Sequence, residues 1–383
     1  MIGVGNVKVA LVHDWLTNMG GAERVVINFK QLFKEAPIYT TLYNPKNLDE
    51  ELRNIDVRTS FLQNNRNLKK GHQSLLPFMP MAFESFDLNE YDVILSSSSS
   101  CAKGVVTSPD TMHICYCHTP MRYAWEYYYE YANNWGLNKL KGIFLKYVMN
   151  YIRVWDRVSA DRVDFFIANS ENVAKRIWKH YKKESVVIHP PVRCDLFNIS
   201  DVDEDYFLIL SRLVPYKKID LAVEAFNELG LPLVIIGDGP EKQKLESKAK
   251  SNIKFLGRQP DSVIKEYYSK CRAFIFPGEE DFGITPLEAQ ASGRPVIAYG
   301  KGGALETVVE GLTGVFFEDY SVNSLRNAIY RFENMKFDKK IIRRHAENFD
   351  EKIFKLKIQN FIGEKYKEFK SVEKWKVIEN ETS

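Results

Sequence analysis

Two glutamates, Glu280 and Glu288, have seven residues between them in a stretch that could bind an anionic ligand. The apolar run Ala273–Phe276 predicts a buried parallel strand before them, and Pro286 suits the first turn of a helix over residues 285–291. Ligands of open α/β sheets bind at the carboxyl ends of strands, and helix N-termini attract anions. We therefore expect a ligand site at this junction, lined by the backbone N–H groups of Phe282, Gly283, Ile284 and Thr285.

The elements that position this site form a pattern that occurs twice along the chain. The first half opens with a strand over Val7–His13, a turn containing Gly20 and Gly21, and an amphipathic helix. The second half opens with a strand over Tyr206–Leu210 and closes its sheet at Gly314–Phe317. Strands that alternate with helices predict an α/β protein with parallel sheets. The G-x-G-x-x-G fingerprint is absent, which argues against a Rossmann dehydrogenase.

Length and composition narrow the class of protein. The 383 residues indicate two domains, and a hydrophobic content of 45% suffices for two cores. A net charge of +3 argues against nucleic acid as a partner. The sequence has no apolar run long enough for a transmembrane helix and predicts no signal peptide. Five cysteines without a C-x-x-C pair predict reduced thiols in the cytoplasm, and no disulfide framework or zinc site.

Several motifs resemble those of one enzyme family. They are the two spaced glutamates with F-G-I-T-P-L-E-A at 282–289, S-R-L-V-P-Y-K-K at 211–218, G-G-A-E-R at 20–24 and C-H-T-P-M-R-Y-A-W at 117–125. The chain resembles the retaining glycosyltransferases of family 4 over nearly its whole length. This resemblance implies the GT-B fold, in which two Rossmann-like α/β domains with parallel sheets face each other across a cleft.

The resemblance also implies a domain organisation. Residues 1–195 would form the acceptor-side domain, and residues 196–350 would form the nucleotide-sugar-binding domain. A C-terminal helix and tail over residues 351–383 would cross back to the first domain. The acid-rich segment Asp195–Asp205 is interpreted as the interdomain linker.

The resemblance gives Arg212 and Lys217 a role at the donor's diphosphate. Breaking a sugar–diphosphate bond leaves negative charge on the leaving oxygen, and fixed cations stabilise that charge. Lys218 occupies a position where glycine is common, so we expect a different turn there. With the diphosphate charge met by cations, we expect neither metal nor cofactor. The one D-x-D match, Asp201 to Asp203, falls in the predicted linker.

The two glutamates and several loop residues receive further donor-binding roles from the resemblance. Glu288 would accept hydrogen bonds from the ribose hydroxyls, and Glu280 would hold the donor sugar. Gly20 and Gly21 would face the diphosphate, because backbone without a Cβ approaches phosphate closely. The nucleotide base would lie near three residues at a strand end, Leu256, Gly257 and Arg258.

His118 follows a predicted strand over His113–Cys117. In the resembled family a histidine at this position lies next to the donor sugar, so the resemblance implies a place for His118 in the catalytic site. Aromatic and polar neighbours could hold an acceptor sugar by stacking and hydrogen bonding. We predict acceptor contacts from Tyr116, Arg122, Tyr123 and Trp125.

Two segments combine basic residues with large apolar ones. Residues 61–83 contain Arg66, Lys69 and Lys70 without any acidic residue. The stretch from Trp125 to Trp155 is rich in tyrosine and tryptophan and is accompanied by the basic residues Lys139, Lys141, Lys146, Arg153 and Arg157. This composition suits an anionic membrane surface. Core-packing helices with solvated basic residues are an equally good interpretation.

The sequence therefore predicts a retaining glycosyltransferase whose substrate is a nucleotide sugar. Its motifs are closest in look to bacterial enzymes that transfer mannose from GDP-mannose during O-antigen, lipopolysaccharide and exopolysaccharide assembly. The acceptor would be an oligosaccharide or a polyprenyl-diphosphate-linked glycan, and the protein would be cytoplasmic or peripheral on the inner membrane. Another donor such as UDP-glucose stays open, as does a nucleotide-sugar epimerase or binding protein with the same fold. Acceptor, linkage and oligomeric state do not follow from the sequence.

Overall fold

Each half of the chain forms its own parallel β-sheet flanked by helices. The computed structural model describes residues 7–64, 72–126, 128 and 139–372. The first unit contains the described residues up to His189 and from Phe354 onward, and the second contains Pro190–Ile353. The predicted α/β class is confirmed in both units.

The first unit contains seven parallel strands in the order β3-β2-β1-β4-β5-β6-β7. The strands are β1 Val9–His13, β2 Ile38–Thr40, β3 Val57–Thr59, β4 Val93–Ser98, β5 Met112–Cys117, β6 Phe165–Ala168 and β7 Ser185–Val187. The helices that accompany them are α1 Gly21–Leu32, α2 Met79–Glu84, α3 Lys139–Ser159 and α4 Glu171–Tyr181. The short edge strand β3 was not predicted, because its three residues are mostly exposed and carry no apolar run.

The second unit contains six parallel strands in the order β10-β9-β8-β11-β12-β13. The strands are β8 Phe207–Leu210, β9 Leu233–Ile236, β10 Ile253–Gly257, β11 Phe274–Phe276, β12 Val296–Tyr299 and β13 Gly314–Phe317. Its helices are α5 Ile219–Leu229, α6 Lys242–Lys248, α7 Asp261–Lys270, α8 Ile284–Ala291, α9 Ala304–Thr307, α10 Val322–Glu333 and α11 Lys339–Glu347.

Helix α12, Glu351–Val372, is the last described element of the chain. Its apolar residues recur at the spacing of one helical face and are buried in the core of the first unit. They are Phe354, Ile358, Phe361 and Ile362. Within the described residues, no helix is both long enough and apolar enough to cross a lipid bilayer.

The acid-rich segment Asp195–Asp205 lies wholly in the second unit. The carboxylate of Asp203 accepts hydrogen bonds from the guanidinium of Arg294 and from the ammonium of Lys339. These ion pairs tie the segment to the ends of α8 and α11, so our interpretation of this segment as a linker is corrected. The sequence suggested a linker because acidic residues without apolar periodicity are typical of one.

Both sheets reverse their strand order once, and ligands of such sheets bind at that reversal. In the first sheet the reversal lies between β1 and β4, and in the second it lies between β8 and β11. His13 and Ser97 lie at the carboxyl ends of β1 and β4. The carboxyl ends of β8 and β11 lead into the loops that contain Lys217 and Glu280. Two predicted site residues, Lys217 and Glu280, therefore lie in loops at the switch point of the second sheet.

Candidate functional site

Lys217 and Glu280 meet at the switch point of the second sheet. Lys217 ends a 3₁₀ turn in the connection after β8, and Glu280 lies in the loop after the neighbouring strand β11. The ammonium group of Lys217 forms an ion pair with the carboxylate of Glu280, and the side chains are only 14% and 25% exposed. The fold therefore brings two predicted site residues from separate motifs into contact.

Gly278 allows the two loops to approach this closely. A Cβ at residue 278 would lie 2.9 Å from the Cα of Lys217 and 3.0 Å from the carbonyl oxygen of Tyr216. Any larger residue would push the Lys217 loop away from Glu280. Our sequence analysis did not identify Gly278 as a site residue, because nothing local shows what a glycine faces.

The loop of Glu280 is also held by the turn at Gly302 and Gly303. The N–H group of Gly303 donates to the carbonyl oxygen of Glu280 at 2.9 Å. Gly302 has a φ of +62°, and a Cβ there would lie 2.4 Å from that same oxygen. Backbone contacts on two sides therefore fix the position from which Glu280 extends.

Helix α8 begins at Ile284, one residue before the predicted start. Gly283 is its N-cap and has a φ of +87°, a conformation that favours glycine. Thr285 and Pro286 lie in the first turn, and Phe282 is buried at 3% exposure. The N–H groups of a first helical turn lack intrahelical acceptors and carry partial positive charge, so this end of α8 suits an anion.

Glu288 lies on α8 and is 5% exposed. The hydroxyl of Tyr268, on helix α7, donates to Oε2 of Glu288 at 3.1 Å. This hydrogen bond orients a buried carboxylate, which is the type of group that can accept hydrogen bonds from sugar hydroxyls. Tyr268 was missed because it lies in an ordinary helical pattern twenty residues away.

Arg212 and Lys218 flank Lys217 in the connection after β8. The guanidinium of the exposed Arg212 donates to the hydroxyl of Tyr216 at 3.1 Å. Lys218 has a φ of +54°, so it adopts the left-handed conformation that glycine favours. Lysine holds this turn at a cost of about 1–2 kcal/mol. Our expectation that the turn differs from that of the resembled family stays a prediction.

The three residues proposed for the nucleotide base lie at the carboxyl end of β10. Gly257 has a φ of +65°, and its carbonyl oxygen accepts from the N–H of Gly237 at 2.8 Å. The side-chain amide of Gln259 donates to the carbonyl oxygen of Leu256 at 2.6 Å. Arg258 extends into solvent from the same turn. The backbone here is fixed at a strand end where ligands of this fold class bind.

In the first unit, the buried carboxylate of Asp14 organises the polar run 96–100. Its oxygens accept from the N–H groups of Ser99, Cys101 and Ala102 at 2.6–2.8 Å. The serines up to Ser98 belong to β4 and are buried. Asp14 was missed as an organising residue, since its partners lie far along the chain.

Gly20 and Gly21 mark the start of α1, where Gly20 is the N-cap. The backbone of Gly20 is extended, with a φ of −161°, so its conformation does not require glycine. A Cβ at residue 20 would lie 3.0 Å from Oε2 of Glu23, which is 8% exposed. Gly20 therefore leaves room for the carboxylate of Glu23, which turns towards the sheet.

The predicted acceptor residues have different environments. Tyr116 is fully buried, and its hydroxyl donates to the carbonyl oxygen of Ile188 at 2.8 Å. It is therefore a core residue, and the prediction that it contacts an acceptor is corrected. The indole of Trp125 donates to Asp156 at 2.7 Å and stacks on the ring of His180.

The other two predicted acceptor residues, Arg122 and Tyr123, are partly buried, like Trp125. The hydroxyl of Tyr123 is hydrogen bonded to that of Ser100 at 2.6 Å. Arg122 and Tyr123 therefore stay candidates, while Trp125 is anchored by its own contacts.

Only some of the basic residues in the two predicted membrane segments are among the residues that the structure describes. Arg66, Lys69 and Lys70 lie outside the described residues, as do the side chains of Lys139 and Lys141. In the described part of residues 61–83, four large apolar side chains are buried and three are about half exposed. The buried ones are Leu62, Leu75, Met79 and Phe83, and the exposed ones are Phe61, Phe78 and Met81.

The two parallel sheets with candidate ligand sites at their strand ends define a class of protein. Comparisons with known families identify that class. Residues 19–196 match the model of Glycosyltransferase Family 4, and residues 197–352 match that of Glycosyl transferases group 1. The chain is therefore a glycosyltransferase with the GT-B fold. The fold class implied by the sequence motifs is confirmed.

Curated relatives share about a quarter of their residues with this chain. An alpha-1,3/1,6-mannosyltransferase of Dictyostelium discoideum is 24% identical over 394 residues, spanning 85% of this chain and 90% of that protein. The counterpart in Schizosaccharomyces pombe is 24% identical over 80% of this chain and 70% of its own length. An uncharacterised glycosyltransferase of Methanocaldococcus jannaschii is 25% identical over 52% of this chain, which spans 58% of that relative.

Solved structures share the fold at lower identity. HepE of Anabaena, determined in complex with UDP, superposes with a TM-score of 0.69 at 18% identity, over 93% of this chain and all of its own. The lipopolysaccharide outer core galactosyltransferase WaaB has a TM-score of 0.66 at 17% identity, over 94% of this chain and 99% of its own. These similarities establish the GT-B architecture.

Proposed function

We propose that this glycosyltransferase transfers mannose from GDP-mannose with retention of configuration, in the synthesis of a bacterial surface polysaccharide. The observation that carries the proposal is the ion pair of Lys217 with Glu280 beside the N-terminus of α8, at the strand ends where nucleotides bind. The mannosyltransferase names of two relatives that match most of this chain support the choice of sugar.

The reaction needs a stabilised leaving group. The bond between the anomeric carbon and the diphosphate oxygen breaks, and the acceptor oxygen bonds to that carbon on the same face. Arg212, Lys217 and the first-turn N–H groups of α8 would stabilise the charge on the diphosphate, and one of its oxygens would take the acceptor's proton. Arginine can bind two phosphate oxygens at once, whereas lysine acts as a point charge.

The two glutamates would bind the parts of the donor on either side of its diphosphate. Glu288, oriented by Tyr268, would accept hydrogen bonds from the ribose hydroxyls. Glu280, held by Lys217, would fix the sugar ring while its glycosidic bond breaks. No metal or cofactor is part of this proposal, because the cations and N–H groups meet the charge of the diphosphate.

The test is a panel of nucleotide sugars incubated with an oligosaccharide or polyprenyl-diphosphate-linked acceptor. We expect transfer from GDP-mannose, and NMR of the product should show the donor's anomeric configuration. Transfer from UDP-glucose alone would replace the donor assignment. Epimerisation or binding without transfer to any acceptor would contradict the proposed reaction and favour the alternative activity of this fold.

We also propose that helix α3 contacts an anionic lipid surface, where a lipid-linked acceptor would be found. The helix packs one face into the core and exposes an apolar stripe at helical spacing on another. The exposed residues of this stripe, between 49% and 73% accessible, are Ile143, Tyr147, Tyr151, Val154 and Val158. Lys146 and Arg157 lie beside it, three residues from Ile143 and Val154.

Vesicle flotation tests this membrane contact. Binding to phosphatidylglycerol vesicles should weaken with added salt, and Tyr147→Ser with Tyr151→Ser should reduce it further. Leu305→Ser is the matched control, because Leu305 is 58% exposed in the second unit. Binding that ignores salt, lipid charge and the tyrosine changes would contradict the proposal.

A further inference from the structure

Four polar side chains of the first unit form a continuous chain at the switch point between β1 and β4. Oε1 of Glu23 lies 3.5 Å from Nε2 of His13. Nδ1 of His13 lies 3.1 Å from both the carbonyl oxygen and Oγ of Ser97. Oγ of Ser97 lies 2.7 Å from Nε2 of His118. Only His118 has so far been given a role in the reaction.

The strand register fixes the centre of this chain. His13 and Ser97 are direct partners in the pairing of β1 with β4, and both are buried. His118 follows β5, and its N–H donates to the carbonyl oxygen of Ser98 at 2.8 Å. Three adjacent strand ends therefore hold these side chains, and rigid strand ends orient functional groups more accurately than free loops do.

The partners of His13 decide where its protons lie. A carbonyl oxygen can only accept, so Nδ1 of His13 carries the proton and donates to Ser97. On the other side, Nε2 faces the carboxylate of Glu23. Burial by itself lowers the pKa of His13, but the contact with Glu23 outweighs burial and the pKa is raised above its usual value. An ionised Glu23 with a protonated His13 fits these contacts.

The hydroxyl of Ser97 transmits this arrangement to His118. Because Oγ receives a hydrogen bond from Nδ1–H of His13, its own proton can point to Nε2 of His118, which then accepts. The nitrogen that accepts has no proton of its own in a neutral ring, so in this arrangement the proton of His118 is on Nδ1.

We propose that Glu23, His13 and Ser97 are positioning residues that hold His118 as the neutral tautomer protonated at Nδ1. His118 then presents a fixed N–H donor to a hydroxyl oxygen of the donor sugar, a step that rests on the proposed function. In this state Nδ1 cannot accept a proton and Nε2 is engaged by Ser97, so His118 orients the sugar and is not the base.

The surroundings of His118 agree with a neutral ring. Burial and the neighbouring charge of His13 lower the pKa of His118 to about 3. The ring of Tyr116 packs edge-on against the imidazole at 5.2 Å, and the carbonyl oxygen of His118 accepts from the amide of Asn169. Gly20 completes the arrangement, since it leaves the space that the carboxylate of Glu23 occupies.

Nitrogen-15 NMR of the histidine rings tests the tautomer without any assay of transfer. The chain has seven histidines, few enough for the signals of His118 to be assigned by their absence in His118→Asn. Between about pH 6 and pH 8 we expect a protonated Nδ1 and an unprotonated, hydrogen-bonded Nε2 in the wild-type protein. A protonated Nε2, or a doubly protonated ring in that range, overturns the proposal.

Three variants test which residues hold His118 in this tautomer. Ser97→Ala should release His118 into a mixture of tautomers, whereas Ser97→Thr keeps a hydroxyl and should restore the Nδ1–H form. Glu23→Gln should lower the pKa of His13, which the same spectra measure. Ser99→Ala is the control, because the hydroxyl of Ser99 donates its hydrogen bond to Asp14. An Nδ1–H tautomer that persists unchanged in Ser97→Ala also overturns the proposal.

Kinetics separate positioning from a purely structural role. With the donor identified, Ser97→Ala should lower kcat roughly 10–100-fold, by analogy with the loss on removing the hydrogen-bond partner that orients a metal-bound histidine. Affinity for the nucleoside diphosphate should stay within about twofold, because the proposed contact of His118 is with the sugar and not with the diphosphate. If no donor is found, the NMR result still decides the tautomer, so failure of the proposed function and failure of this inference are distinguishable.

Discussion

The ammonium group of Lys217 is paired with the carboxylate of Glu280 at the ends of two neighbouring strands, β8 and β11. Gly278 makes this contact possible, because its missing side chain leaves room for the backbone of Lys217. One residue would stabilise the leaving diphosphate and the other would hold the sugar. The ion pair therefore lies where the bond between sugar and diphosphate is expected to break.

The cations are tested by Arg212→Ala and Lys217→Ala. Each should lower kcat by roughly 10²–10³, the loss seen when one preorganised group that stabilises developing charge is removed. Lys248→Ala is the matched control, since Lys248 pairs with Glu224 on the surface of the same unit. Turnover close to that of the wild-type protein in Arg212→Ala would contradict the assignment of that residue.

The two glutamates should affect different kinetic constants. Glu280→Gln keeps the shape and removes the charge that pairs with Lys217, so kcat should fall while affinity for GDP changes little. Glu288→Gln should raise KM for the donor, because ribose contacts are alike in the ground state and the transition state. Calorimetry with GDP and initial rates with the donor measure the two effects. Two results would contradict these separate roles. One is normal turnover of Glu280→Gln. The other is a Glu288→Gln variant that loses kcat but binds GDP like the wild-type protein.

Chelation tests the prediction that no metal takes part. Activity should survive an excess of EDTA, because Arg212, Lys217 and backbone N–H groups supply the positive charge. The measurement is the rate of transfer before and after chelation, followed by added Mg²⁺ or Mn²⁺. Complete loss with EDTA and recovery with either ion would show that a metal meets the charge of the diphosphate.

Acid should destabilise the first unit through His113. Burial, assisted by the charge of Lys103, lowers the pKa of His113 to about 3. Below about pH 6.5 the unfolded chain binds a proton at this residue and the folded protein does not. The free energy of unfolding should therefore fall as the pH drops from about 6.5 towards 3, by about 1.4 kcal/mol per pH unit from this group.

Urea unfolding at several pH values measures this dependence. His113→Gln should show a shallower decline than the wild-type protein, because the substituted side chain does not titrate. Parallel declines in the two proteins would show that His113 does not contribute.

The sequence alone determined the class of this protein and the places of its main elements. Strand and helix periods are local, so apolar runs such as Ala273–Phe276 predicted most of the strands, though not the exposed edge strand β3. The junction before Glu288 predicted the start of α8 to within one residue. The strand-end motifs implied the GT-B fold, which the family matches and the solved structures support.

Only the tertiary structure decided which side chains meet. Lys217 contacts Glu280, Tyr268 orients Glu288, and Ser97 links two histidines, because strand order brings distant segments together. Tyr116, an aromatic residue beside a predicted site, proved to be core because its side chain points into the sheet's packed face. Sequence spacing records what a helix or strand does locally, whereas the burial of a side chain and its partner across the sheet depend on the folded chain.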